Sequence, residues 1–117
     1  MNNLKAIIEE IVEAFGKRDI DAIAKHIGDE FHWLESDGTT VSQGRDQFIQ
    51  IVHEYYAENP EVKNTSSEII VLGNLATHTE TFTHHADGST RSYLWVYEFN
   101  TAGKLVKQWG YTPAPVA

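Results

Sequence analysis

His78 and Glu80 stand two residues apart in Ala76–His84, a stretch whose polar and aromatic residues alternate. In a strand that spacing puts both side chains on one face. An imidazole beside a carboxylate can move a proton near neutral pH, or hold a ligand's polar group without chemistry. A second alternating stretch, Arg91–Phe99, carries Tyr93, Trp95 and Tyr97. Between the two lies Asp87-Gly88, the dipeptide that most favours a two-residue turn with positive φ. The expected hairpin pairs His84 with Arg91, Phe82 with Tyr93, Glu80 with Trp95, His78 with Tyr97 and Ala76 with Phe99, all on one surface. The other surface holds Thr77, Thr79, Thr81 and Thr83 opposite Glu98, Val96, Leu94 and Ser92. A plain core face would be Val, Ile and Leu. Tyr, Trp, His and Glu are instead the lining expected of a small-molecule pocket.

Glu35 is the third candidate for proton transfer. It ends the run Phe31-His32-Trp33-Leu34-Glu35, just before the turn Ser36-Asp37-Gly38. Placed at a buried strand end beside Trp33 and facing aromatics, its carboxyl would be desolvated and its pKa raised, suiting a general acid or base. Otherwise it is a solvated turn carboxylate. His78, Glu80 and His84 also invite a metal reading, but His84 is six residues beyond His78, about 20 Å along a strand. A centre would need His32, Glu35 or Gln108 as a third ligand, and no metal is expected.

The elements that must position these residues follow from periodicity. Leu4, Ile7, Ile8, Ile11, Val12 and Phe15 recur at helical spacing and predict a first helix that stops near Gly16. Asp19 can cap a short second helix carrying Ile20, Ile23, Ala24 and Ile27. Gly44 opens a third, with Phe48, Ile49, Ile51, Val52, Tyr55 and Tyr56, ending before Pro60. From Val62 onward the pattern is all β: a strand with Ile69–Leu72, the two strands above, and Lys104–Thr112 after the turn Asn100–Gly103. Gln108 joins the aromatic face if the last hairpin keeps parity. A bulge would turn Trp109 and Tyr111 inward instead. Phe48, Tyr55 and Tyr56 read as core, with one tyrosine at the pocket mouth, and His26, His53 and His85 as surface. Helices first and a β-meander after predict an α+β fold, one domain spanning residues 1–117, with helices on one side of a mainly antiparallel sheet.

Composition narrows the setting. The chain has 117 residues, a net charge of -8 and no cysteine. The acidic balance argues against nucleic acid, and the missing thiols remove disulfides and thiolate chemistry. No apolar run approaches the roughly 20 residues of a membrane span. The first helix carries Glu9, Glu10 and Glu13, unlike a cationic signal or transit segment, so the expected location is cytoplasmic. No phosphate-cradling glycine loop or nicotinamide fingerprint is present, so no organic cofactor is expected.

Phe15-x3-Asp19-x-Asp21, Asp29-x-Phe31-x-Trp33 and Gly44-Arg45-Asp46, followed by Phe99-Asn100-x-Ala102-Gly103-Lys104-Leu105-Val106 and Trp109, are similar in order and spacing to the nuclear-transport-factor-2-like superfamily. The nearest branches are the SnoaL-like cyclases and the ketosteroid-isomerase-like proteins. The resemblance implies three N-terminal helices on a strongly curved sheet, a cone-shaped α+β barrel, and commonly a sheet-to-sheet homodimer. Fold alone does not fix a reaction. Carried over by position, the isomerases' catalytic carboxylate falls on Glu35. Their helix-1 tyrosine falls on Ile11, which donates nothing, and their oxyanion-hole aspartate on Trp95. Isomerisation by the familiar arrangement is therefore not expected.

Together these readings give an acidic pocket protein for a compact hydrophobic or aromatic molecule, lined by Ile11, Phe15, Trp33, Phe82, Tyr93, Trp95, Tyr97 and Gln108. Catalysis, if present, would be cofactor-independent isomerisation, cyclisation or dehydration of a carbonyl compound by Glu35, His78 and Glu80. The competing class is a non-catalytic ligand-binding or structural homodimer. Its interface would be the threonine-rich face with Leu94, Val96, Leu105, Trp109 and Tyr111, unless Pro113–Ala117 folds back over it.

Overall fold

The computed structural model describes residues 3–113. Helix α1 (Leu4–Lys17) starts where the Asn3 side chain accepts a hydrogen bond from the Ala6 amide. It runs past Gly16 and ends on Arg18, whose left-handed backbone (φ 59°) turns the chain. Asp19 caps α2 (Ile20–Ala24) through the Ala22 amide, as its spacing predicts. Ile27 does not extend that helix. It opens β1 (Ile27–Glu35), where its buried side chain joins the core. A turn through Gly38 leads to β2 (Thr40–Gln43), a strand not anticipated because its four residues carry one apolar side chain. Gly44 (φ 87°) then gives its amide to the Phe31 carbonyl at 2.6 Å and launches α3 (Arg45–Glu58).

The second half is β3 (Lys63–Ser66), β4 (Ile70–Leu72), β5 (Leu75–Thr83), β6 (Arg91–Phe99) and β7 (Leu105–Tyr111). The strands form one sheet in the order β2-β1-β7-β6-β5-β3, with β4 also on β5. Every pairing is antiparallel except β1 with β7. The sheet is mixed, mainly antiparallel and open, and with the helices on one side it gives the expected cone-shaped α+β fold. The helices cover one side of the sheet. Between the layers Leu4, Ile8, Ile23, Ile27, Phe31, Val52, Phe99 and Leu105 form the buried core. No helix among the described residues is long and apolar enough to cross a membrane.

The central hairpin differs from expectation by two residues. Phe82 pairs with Arg91, Glu80 with Tyr93, His78 with Trp95 and Ala76 with Tyr97. Asp87-Gly88 does form a turn, with the Gly88 amide on the His85 carbonyl, but inside a longer connection rather than at the strand ends. A slip of two keeps every side chain on its face, whereas a slip of one would have inverted the sheet. Ala76, His78, Glu80, Phe82, Trp95, Tyr97 and Phe99 are accordingly buried. His84 leaves the strand with φ 64° and is exposed.

Parity also holds across β6 and β7, where Tyr97 faces Gln108, Val96 faces Trp109 and Trp95 faces Gly110. The register shifts once, beside Phe99, so Leu105 points into the core and not to the outer face as expected. Gly110 is required by packing. A Cβ there would lie 2.6 Å from Cζ3 of Trp95, because the indole rests on the bare backbone. Of the C-terminal segment invoked to cover the outer face, residues 114–117 lie outside the described residues.

Candidate functional site

A cavity of about 250 Å³ lies between the helices and the concave side of the sheet. Ile11, Val12 and Phe15 of α1, Ile23 of α2, and Phe48, Ile51, Val52 and Tyr55 of α3 supply one wall. Trp33, Glu80, Phe82, Arg91, Tyr93, Trp95, Tyr97 and Gln108 supply the other. The sheet wall is an aromatic relay. Tyr93 stacks on Trp95 at 4.8 Å, Trp95 meets Trp33 edge-on at 5.9 Å, and Phe82 bridges Tyr93 to Phe15.

Glu80 is the buried carboxyl in this wall. Its Oε1 accepts from the Trp95 indole N–H at 3.0 Å and its Oε2 from the Asn64 amide at 2.9 Å. Asn64 is itself held by donating to the Val12 carbonyl of α1 at 3.1 Å, which ties sheet, helix and carboxyl together. Burial raises the Glu80 pKa, opposed in part by the Asn64 and Trp95 hydrogen bonds.

His78 sits behind the wall rather than on it. Its Nδ1 lies 2.6 Å from Ser66 Oγ and its Nε2 lies 2.8 Å from the Tyr97 hydroxyl. Ser66 donates to the Ser67 carbonyl, so its oxygen accepts from His78 Nδ1–H, and Nε2 accepts from Tyr97. Burial lowers the His78 pKa to about 4 and pushes Tyr97 well above the ordinary phenol range. Both stay neutral at neutral pH, which suits this tautomer. The expectation that His78 faces a ligand is therefore corrected, because Tyr97 stands between it and the cavity.

Glu35 is likewise corrected. It is exposed, closes the β1–β2 turn through its backbone with Thr39 and Gly38, and is not on the cavity wall. Its pairing with Gly110 keeps it on the face of Trp33 and Gln108, but at the end of the strand, where the side chain stays exposed. No three His, Asp or Glu residues placed to hold a metal ion come together among the described residues.

The sequence reading missed one assembly. His85, expected on the surface, is buried, with Nδ1 2.9 Å from the Ser89 carbonyl and Nε2 on the Tyr55 hydroxyl. A carbonyl only accepts, so Nδ1 carries the proton and Tyr55 donates to Nε2. Burial is the main cause that pushes the Tyr55 hydroxyl up to about 12. The same loop fixes Arg91, which donates to Ser89 Oγ and to Asp87 at 3.2 Å each. His-x3-Ser-x-Arg after a strand is too loose a pattern to have signalled this. Only the contact with α3 makes it a unit.

The polar groups of the wall thus divide in two. Glu80, Trp95, Tyr97 and Tyr55 spend their hydrogen bonds inside the protein. Tyr93 and Gln108 have no such partner among the described residues, and both face the cavity.

Comparison with known proteins agrees with this architecture. No curated protein matches the chain. An uncharacterised cystatin-fold protein from Novosphingobium aromaticivorans superposes with a TM-score of 0.83 at 16% identity, over 94% of this chain and 98% of that one. A candidate ketosteroid isomerase from Kribbella flavida gives 0.82 at 13%, over 97% and 80%. TerC, co-crystallised with polyporic acid, gives 0.76 at 15%, over 92% and 89%. At these identities the likeness is one of fold. The cone-shaped fold is shared with solved NTF2-like proteins, among them one from Burkholderia pseudomallei with a TM-score of 0.76 at 22% identity, over 97% of this chain and 92% of that one. The profile of the SnoaL-like domain matches residues 8–108, nearly the whole chain, and the protein therefore belongs to the SnoaL-like family.

Proposed function

We propose that this cavity binds a compact hydrophobic or aromatic carbonyl compound and that Glu80 moves a proton on it without a cofactor. The observation that carries the reading is a buried carboxyl in a wall of aromatic rings, its pKa raised by burial toward the range useful for acid–base work. A cavity of about 250 Å³ is smaller than most drug-sized sites, which favours a compact molecule. As base, the Glu80 carboxylate takes a proton from the carbon next to the carbonyl, and the electron pair moves onto the carbonyl oxygen. The Tyr93 hydroxyl, without a hydrogen-bond partner among the described residues, is the donor nearest in role to an oxyanion stabiliser. Return of the proton elsewhere on the ligand gives isomerisation, and its delivery to a β-hydroxyl, which leaves as water while the enolate electron pair forms the new double bond, gives dehydration. TerC, a neighbour in fold, was crystallised with a small molecule, which is consistent with this use of the cone.

A second reading has its own observation. Both Glu80 oxygens already accept hydrogen bonds, so the carboxyl can be a satisfied structural group in a protein that only binds. Proton exchange separates the two. With 2-tetralone in D2O, followed by NMR, the catalytic reading predicts accelerated exchange of the α-protons, lost in Glu80→Gln. Binding without exchange favours the second reading, and no binding overturns both.

The assembly belongs to the same proposal. The outer sheet face carries exposed Leu94 and Tyr111 beside half-buried Val96 and Trp109, an apolar surface that suits a two-fold homodimer. The acidic chain is taken to act in the cytoplasm, with no nucleic-acid or membrane partner.

A further inference from the structure

Gln108 is 7% exposed, lines the cavity, and its side-chain amide makes no hydrogen bond among the described residues. The buried side-chain polar atoms without a partner among the described residues are Arg18 Nη1 and Ser42 Oγ, so the Gln108 amide is not sealed in but opens into the cavity, where a ligand can satisfy it. Its neighbours cannot supply a partner. Tyr97, paired with it across β6 and β7, gives its hydroxyl to His78. Trp33, paired with it across β1 and β7, presents an aromatic ring. The nearby Trp95 N–H is committed to Glu80. The amide is thus an uncommitted donor–acceptor pair flanked by Tyr97 and Trp33, on a wall whose Glu80 and Tyr97 polar atoms are already engaged within the protein.

We infer that Gln108 orients the ligand by a two-point hydrogen bond, and that the ligand therefore carries, on an aromatic frame, a planar group presenting a donor beside an acceptor. Carboxamides, lactams, protonated carboxylic acids and enolised 1,3-dicarbonyls share that chemistry. Gln108 offers its N–H to the ligand carbonyl and its C=O to the ligand N–H or O–H. A simple ketone or a bare ring leaves half or all of the amide unpaired. Discrimination by a buried polar group left without its partner is large compared with that of a missing methylene. This inference rests on the cavity being a binding site, the reading proposed above, and narrows which molecules it takes.

The test uses three probes of one shape: naphthalene, 2-acetylnaphthalene and 2-naphthamide. They are titrated against tryptophan fluorescence, since Trp33 and Trp95 line the cavity. Wild type is expected to bind 2-naphthamide at least tenfold more tightly than 2-acetylnaphthalene. Gln108→Leu and the volume-matched Gln108→Met are expected to abolish that preference while still binding naphthalene. The same variants should unfold at the same denaturant concentration as wild type when no ligand is present, because the amide has no hydrogen bond within the protein to lose. A residue serving only the fold would lose stability instead. Equal affinities for all three probes in wild type, or a preference that survives in both variants, overturns the inference alone. Failure of all three probes to bind overturns the binding-site reading and the inference with it.

Discussion

Replacing Gly110 with alanine tests the sheet wall at its tightest point. In most strands this substitution stabilises by about 0.5–1 kcal/mol, because glycine loses the most freedom on folding. Here the added Cβ would lie 2.6 Å from Cζ3, 3.2 Å from Cε3 and 3.4 Å from Cη2 of Trp95. The ring must move, and it is held by stacking on Tyr93, by Trp33 and by the hydrogen bond to Glu80. Overpacking of this kind costs about 1–3 kcal/mol, so the sign of the usual effect reverses. Urea unfolding of Gly110→Ala, Trp95→Leu and the double variant forms a cycle that isolates the contact. Gly110→Ala alone should destabilise by about 1–3 kcal/mol, and in the Trp95→Leu background most of that cost should vanish. A stabilising Gly110→Ala, or a cost unchanged without the indole, would refute the packing of Trp95 over this glycine.

Three further outcomes are expected. Trp95→Phe retains much of the ring packing but leaves Glu80 Oε1 without its donor, and should cost about 1–3 kcal/mol in urea unfolding; a neutral change would mean the bond contributes nothing. Glu80 holds its proton more tightly folded than unfolded, so as pH rises above its ordinary value of 4.5 the unfolded state ionises first and stability falls until the folded carboxyl ionises too. Relative to Glu80→Gln, wild type should therefore lose stability across that window, and a relative gain with rising pH would contradict the raised pKa. Light scattering at micromolar concentration should give about twice 13.2 kDa for wild type and near 13.2 kDa for Thr79→Lys or Val96→Lys, since a lysine buried at a dry interface has no partner; a wild-type monomer would remove the sheet-face dimer.

What was legible in the sequence was whatever alternation alone decides. The inner face of β5 and β6 was readable because side-chain direction has period two, and it survived a two-residue error in register. The register itself was not readable. Asp87-Gly88 signals a turn, but the longer connection is set by His85 reaching Tyr55 on α3, a contact between residues thirty apart. Leu105 was misplaced because a bulge inverts a residue without changing composition. Glu35 shows the same limit from another side. Whether a carboxyl at a strand end is desolvated depends on what covers it, and here nothing does. Ile11 and Phe15 of α1 were read as pocket, but the α3 part of the helix wall was read as ordinary core because Phe48, Ile51 and Val52 have the same apolar spacing in either role.

The central claim, that a compact aromatic molecule occupies the space between helices and sheet, is tested most directly by the three indole N–H signals in a 1H–15N NMR titration. Trp33 and Trp95 line the cavity, whereas Trp109 lies on the opposite face of the sheet beside Lys107. Titration with 2-naphthamide is expected to shift Trp33 and Trp95 and to leave Trp109 in place. A shift confined to Trp109, or no shift at any of the three, would contradict the account.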